Sequence, residues 1–146
     1  MIKKVYVFDK DMAIREMLWM IFKRRGYLVY CYPRPGACPE TFFAQLDCAS
    51  GHACGKFIIA SLDFPDLPRF ELIKNLINKK HCKIKHIALM STSWSDTDLE
   101  TARDLGCATF QKPFPPIEMN IWIDACEEED IRPGKDKISE HVALKH

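Results

Sequence analysis

The sequence predicts an α/β protein built on a five-stranded parallel sheet, doubly wound with helices on both faces. Three observations carry this expectation. Five short runs rich in β-branched, aromatic and aliphatic residues alternate with segments of helical apolar spacing. The first of these runs can be buried on both faces, as a parallel strand covered by helices must be. Polar and charged residues stand at the carboxyl ends of four of the five runs, where an open parallel sheet places its functional crevice.

The first strand is "KKVYVFD", which ends in acid. From Met12 to Arg25, Ile14, Met17, Leu18, Ile21 and Phe22 recur at helical spacing, and Gly26 follows as a C-terminal stop. "YLVYCY" is a second strand and "PRPGACPE" a loop. "TFFAQLDCA" is a short helix that Thr41 could cap, and "SGHACG" breaks it. "KFIIASL" is the third strand; Phe70 to Lys80 follows as a helix with Phe70, Leu72, Ile73, Leu76 and Ile77 largely on one face. "IKHIALMS" is the fourth strand, and "SDTDLETARDLG" a helix with Ser95 or Asp96 as cap and Gly106 as stop. "CATFQ" is a short fifth strand, and a last helix runs from Ile117 to Glu128 after "KPFPP". Residues 1–128 are expected to form one domain. The polar stretch 129–146, with Pro133-Gly134, reads as a disordered extension or a short interaction tail.

Composition narrows the function classes. The chain has 146 residues, with 21 Lys and Arg against 20 Asp and Glu, so its net charge of +1 gives no field that would attract nucleic acid or anionic lipid generally. No apolar run approaches the roughly 20 residues needed to cross a bilayer. "MIKKVYVFDKD" carries Asp where a signal peptide would continue apolar, so the expected location is the cytoplasm. The seven cysteines are odd in number and fit no CxxC, haem or zinc-ribbon spacing; in a reducing compartment most are expected as free thiols. Cys31, Cys82, Cys107 and Cys126 adjoin apolar runs, where a thiol acts as a small hydrophobe. In "CASGHAC", Cys48, His52 and Cys54 could ligate a metal or form a regulatory disulfide, although no fourth ligand is apparent; incidental thiols in a loop are the plainer reading.

Strand one stops at "FDKD", strand three at "ASLD", strand four at "LMSTS" and strand five at "FQKPF". In a parallel sheet these ends converge, so Asp9, Lys10, Asp11, Ser61, Asp63, Ser91 and Lys112 should share one face. Together, "VYVFDKDMAIREML", "KFIIASLDFPDLPRFELI", "IALMSTSW" and "LGCATFQKPF" resemble the CheY-like receiver domain of two-component response regulators, over about residues 3–128. The resemblance implies a flavodoxin-like fold in which an Asp ending strand three takes a phosphoryl group from a histidine kinase. It further implies a pair of acids after strand one that holds Mg²⁺, a Ser or Thr ending strand four that bonds the phosphoryl oxygens, and a Lys before a cis proline. Asp9, Ser91 and Lys112 match.

Two positions depart. Ser61 stands at the phospho-acceptor and Lys10 at the second acid. A carboxylate is ionised at neutral pH, whereas a serine hydroxyl becomes nucleophilic only beside a base, and no histidine falls in these motifs. An ammonium in place of an acid disfavours oxygen-ligated Mg²⁺, so magnesium is expected to bind weakly or not at all. Lys10 is expected to form an ion pair with Asp9 or Asp11, and Ser61 to be hydrogen-bonded in a repurposed pocket. Asp63, two residues past Ser61, would point the same way in an extended chain, so its carboxylate could enter the pocket as a relocated acceptor; the family uses the backbone here. Arg69 stands where the family usually has Gly, which requires a loop free of positive φ or strain. The stretch from Gly106 to Lys112 is one residue short, so the family's switching aromatic maps to Thr109 or Phe110.

The expected function is therefore a degenerate receiver, not an enzyme, that binds signalling proteins, a histidine kinase or an output protein, without phosphoryl transfer. Relocated phosphorelay chemistry at Asp63 and a thiol or metal sensor in the Cys48–Cys54 loop are the alternatives. The family's usual partner face, around strand five and the helices flanking it, would here carry Trp94, Phe110, Phe114 and Trp122, as surface or as core, and could support a homodimer.

Overall fold

A computed structural model of the chain describes residues 3–35, 57–77 and 84–131. The expected helix starting at Thr41, the loop bearing Cys48, His52 and Cys54, Cys82, and residues 132–146 lie outside the described residues. Five strands, β1 (Lys4–Phe8), β2 (Leu28–Tyr32), β3 (Phe57–Ser61), β4 (His86–Ser91) and β5 (Ala108–Gln111), form one sheet in the order β2-β1-β3-β4-β5. All four pairings are parallel. The described helices are α1 (Met12–Arg24), α2 (Glu71–Ile77), α3 (Asp96–Asp104) and α4 (Pro116–Ile131).

The chain divides into two compact units, one running to Phe114 and one beginning at Pro115. In the first, side-chain alternation along the strands sorts the core onto two faces. Tyr6, Phe8, Ile58, Ala60 and Leu89 pack with Ile73 of α2 and Ala102 of α3. On the other face Phe57 meets Phe22 of α1 at 5.4 Å and Tyr27 at 5.5 Å between ring centroids. β1 from Val5 to Phe8 and the whole of β3 are buried, as central strands covered on both sides must be. The structure is thus the expected five-stranded, doubly wound parallel sheet, flavodoxin-like in strand order.

Local chemistry explains the element ends. Asp11 caps α1 by accepting the Ala13 amide at 2.8 Å. Ser95 caps α3 in a reciprocal capping box with Asp98. Gly26 and Gly106 follow their helices at φ of 86° and 77°, a conformation that costs glycine little and other residues more. In the second unit α4 begins at Pro116, whose fixed φ suits the first helical position, and continues to Ile131 with Met119, Ile123 and Cys126 buried.

Candidate functional site: a pocket at the carboxyl ends of the strands

The carboxyl ends of β1, β3, β4 and β5 bring five of the seven expected residues together. Asp9 follows β1, Ser61 ends β3, Asp63 lies two residues beyond it, Ser91 ends β4, and Lys112 follows β5 at the start of a cis Lys112–Pro113 bond. Asp9 and Ser91 are fully buried, and Ser61 and Lys112 nearly so.

Lys112 organises the floor of the pocket. Its ammonium lies 2.8 Å from Asp9 Oδ2, donates to Ser61 Oγ at 3.0 Å and stands 3.7 Å from Asp63 Oδ2. Asp9 Oδ2 makes no hydrogen bond of regular geometry, so its contact with Lys112 is that of an ion pair; Asp9 Oδ1 accepts the Asp11 amide at 2.8 Å. Ser61 Oγ also accepts the Asp63 amide at 2.9 Å. A charged ammonium paired with a carboxylate has no lone pair with which to take the Ser61 proton, so proximity to Lys112 does not activate that hydroxyl.

Asp63 occupies the centre. Its Oδ1 accepts from the Ser91 hydroxyl at 2.7 Å, and its Oδ2 from the Thr92 amide at 2.9 Å and the Thr92 hydroxyl at 3.3 Å. The Arg69 guanidinium reaches Asp63 Oδ1 at 3.3 Å, Ser91 Oγ at 3.0 Å, the Ser93 carbonyl at 2.8 Å and Asp98 Oδ2 at 3.2 Å. Burial alone would raise the Asp63 carboxyl. The Ser91 hydroxyl, the Thr92 amide, the Lys112 charge and the Thr92 hydroxyl outweigh burial, and its pKa falls below the ordinary carboxylate value.

The expected Lys10 ion pair does not form. Lys10 is exposed and pairs with neither Asp9 nor Asp11; Lys112 holds Asp9, and Asp11 is spent on the α1 cap. Lys10 leaves the strand end on the solvent side, so its ammonium keeps its hydration while its carbonyl accepts from Arg15 at 3.0 Å. Of the residues left open as surface or core, Phe110 and Phe114 are core, buried against each other with ring centroids 5.2 Å apart. Thr109 is exposed, so of the two candidate switch positions one carries no ring and the other is packed inside. The loop avoids strain at Arg69, since no described non-glycine residue has positive φ.

Sequence reasoning missed Arg69, Thr92 and Asp98 as pocket residues. The signal was faint: Arg69 stood out only for its backbone, and nothing local shows that its side chain bridges to residues 22 to 29 positions further on.

No family model matches the sequence, and no curated protein matches it. Solved structures do. The chemotaxis response regulator CheY4 of Vibrio cholerae superposes with a TM-score of 0.66 at 21% identity, over 86% of this chain and 98% of that one. A CheY-like receiver domain protein from Methanospirillum hungatei gives 0.70 at 18% identity, over 88% and 96%. A response regulator from Burkholderia pseudomallei, solved with a phosphorylated aspartic acid and a calcium ion, gives 0.62 at 17% identity, over 99% and 75%. At these identities the likeness is one of fold, and the chain has the fold of the CheY-like receiver domains of response regulators.

Proposed function

We propose that the chain is a receiver-like signalling module, cytoplasmic and without phosphoryl-transfer activity, that acts by binding other signalling proteins, a histidine kinase or an output protein. The observation that carries this reading is the occupancy of the pocket. Where a phospho-accepting carboxylate would need an open approach, β3 ends in a serine hydroxyl engaged by Lys112 and the Asp63 amide. The space above it holds the Asp63 carboxylate.

The same geometry argues against a divalent cation. Asp9 has one oxygen on a backbone amide and the other on an ammonium, and Asp11 caps a helix. Among the described residues no cluster of three potential metal ligands forms. Magnesium would have to compete with the Lys112 ammonium for Asp9 Oδ2. The face we assign to partners is that of α3 and β5, where Leu99, Thr109 and Gln111 are exposed. Association of two copies through this face is part of the same reading. Among the described residues no helix is long and apolar enough to cross a membrane.

Incubation with acetyl phosphate and Mg²⁺, followed by intact mass measurement, tests the reading. The expected spectrum is that of the unmodified chain. A labile phosphoryl adduct that disappears in Asp63→Ala would replace this reading with that of a working receiver whose acceptor has moved to Asp63.

A further inference from the structure

A carboxylate can accept about four hydrogen bonds, and here four donors converge on Asp63 from three residues, the hydroxyl of Ser91 at the end of β4, the amide and hydroxyl of Thr92 and the Arg69 guanidinium, while the Lys112 ammonium stands 3.7 Å away as an ion-pair partner. A backbone amide, a hydroxyl and an ammonium facing one point form a cradle for an oxoanion. The Ser91 proton has both Asp63 Oδ1 at 2.7 Å and the Ser93 carbonyl at 2.8 Å within reach, and the charged acceptor makes the stronger bond. The side of the cradle away from Lys112 is closed by Arg69, which joins Asp63 to Asp98 in the first turn of α3.

We propose that the Asp63 carboxylate is a tethered anion that permanently fills this oxoanion cradle, with Arg69 as its clasp, so that the segment from Ser91 to Ser95 is held in an anion-bound arrangement without an incoming ligand. The inference deepens the reading of the pocket as phosphorylation-independent and rests on it. The physical basis is effective concentration: an anion attached two residues past the end of β3 competes with a free anion at no translational cost, so free oxoanions at millimolar levels do not displace it. The held segment continues directly into the Ser95 cap of α3. It is braced from β5 by the Gln111 side-chain Nε2, which donates to the Thr92 carbonyl at 2.8 Å, and by the Trp94 indole N–H on the Phe110 carbonyl at 3.1 Å. Asp63 and Arg69 therefore set the position of the segment that begins the proposed partner face.

The test follows the Thr92 amide by hydrogen exchange and NMR in wild type, Asp63→Ala and Arg69→Gln, each titrated with inorganic phosphate. In wild type the amide is expected to be protected and indifferent to phosphate. In Asp63→Ala it should exchange about tenfold faster or more, the factor that goes with losing a hydrogen bond to a charged acceptor. Phosphate should then shift its resonance saturably and restore protection. Arg69→Gln leaves the carboxylate in place and should retain protection at Thr92 while loosening Ser93. A wild-type Thr92 amide that responds to phosphate as strongly as the Asp63→Ala amide, or an Asp63→Ala amide that neither loses protection nor responds, would overturn the proposal. If Asp63→Ala does not fold, Asp63→Asn supplies the comparison: it keeps a neutral acceptor, and unchanged Thr92 protection in it would equally overturn the role of the charge. Phosphorylation of the wild-type chain by acetyl phosphate would refute the phosphorylation-independent reading through a different readout, an added mass, and leaves the exchange result to be judged separately.

Discussion

Lys112→Met offers the sharpest energetic test of the pocket. The ammonium is buried and lies 2.8 Å from Asp9, a carboxylate with no solvent exposure, and it also donates to Ser61. Methionine matches the length of the stem but leaves the Asp9 charge with a single amide donor. Removing one partner of a buried ion pair costs about 3 to 5 kcal/mol, most of it the desolvation of the charge left behind. Asp9 retains the Asp11 amide, which places the expected cost near the lower end, about 3 kcal/mol. For a chain of 146 residues the unfolding entropy near the midpoint is about 0.3 kcal/mol/K, so Tm should fall by about 10 °C. Urea denaturation followed by circular dichroism measures the free energy, and an unchanged m value shows that the folded state has kept its extent. The double variant Asp9→Asn/Lys112→Met removes the orphaned charge and should recover more than half of the loss. A cost below about 1 kcal/mol for the single change, or no recovery in the double, would refute the assignment of Lys112 as the counter-charge of a desolvated Asp9.

The Asp63 carboxyl titrates below its ordinary value in the folded chain, so its contribution is fully present above the unfolded pKa of about 3.9 and is lost as pH falls through the lower folded value. Urea midpoints measured from about pH 5 down to pH 3 should therefore fall more steeply in wild type than in Asp63→Asn; parallel slopes would contradict the depressed value. Burial pushes the Cys107 thiol up to about 11, and burial together with Glu129, Asp130 and Glu127 pushes Cys126 up to about 12. At pH 8 only about a thousandth of Cys107 is thiolate, so iodoacetamide should leave both unlabelled in the native protein and label them after denaturation; peptide mass mapping checks this. Ser95→Ala removes one half of the capping box and should cost about 1 kcal/mol in urea unfolding. The same change should speed amide exchange at Asp98, whose amide Ser95 Oγ accepts at 3.0 Å.

Much of the fold is legible in the residues. β-branched and aromatic runs broken by helical spacing mark the five strands, and their parallel pairing follows from the intervening helices. The helix ends at Gly26 and Gly106, and the Ser95 cap, rest on backbone requirements that few residue types meet, so sequence alone points to them. Boundaries shift by a residue or so at the strands, and α4 continues past Glu128 to Ile131, since an acidic run remains compatible with helix once the preceding turns are formed. The convergence of Asp9, Ser61, Asp63, Ser91 and Lys112 follows from topology: each sits at the carboxyl end of a parallel strand or just past it. Side-chain direction is a different matter. Lys10 and Asp9 are adjacent, yet one faces solvent and the other the core, and the balance was set by Lys112, about a hundred residues away. The reach of Arg69 to Ser93 and Asp98 depends on a long flexible side chain crossing between loops, for which no sequence period exists. The sequence likewise leaves Phe110 and Phe114 open as surface or core, because their mutual burial depends on tertiary packing.

In the proposed reading the pocket holds its own anion, Asp63, and its own counter-cation, Lys112. Titration with Mg²⁺ and beryllofluoride, followed by NMR at the amides of Ser91 to Ser95, measures this directly. The pocket filled by Asp63 and Lys112 should show no saturable shift up to millimolar Mg²⁺. Stoichiometric, saturable shifts at those amides in the wild-type chain would contradict it.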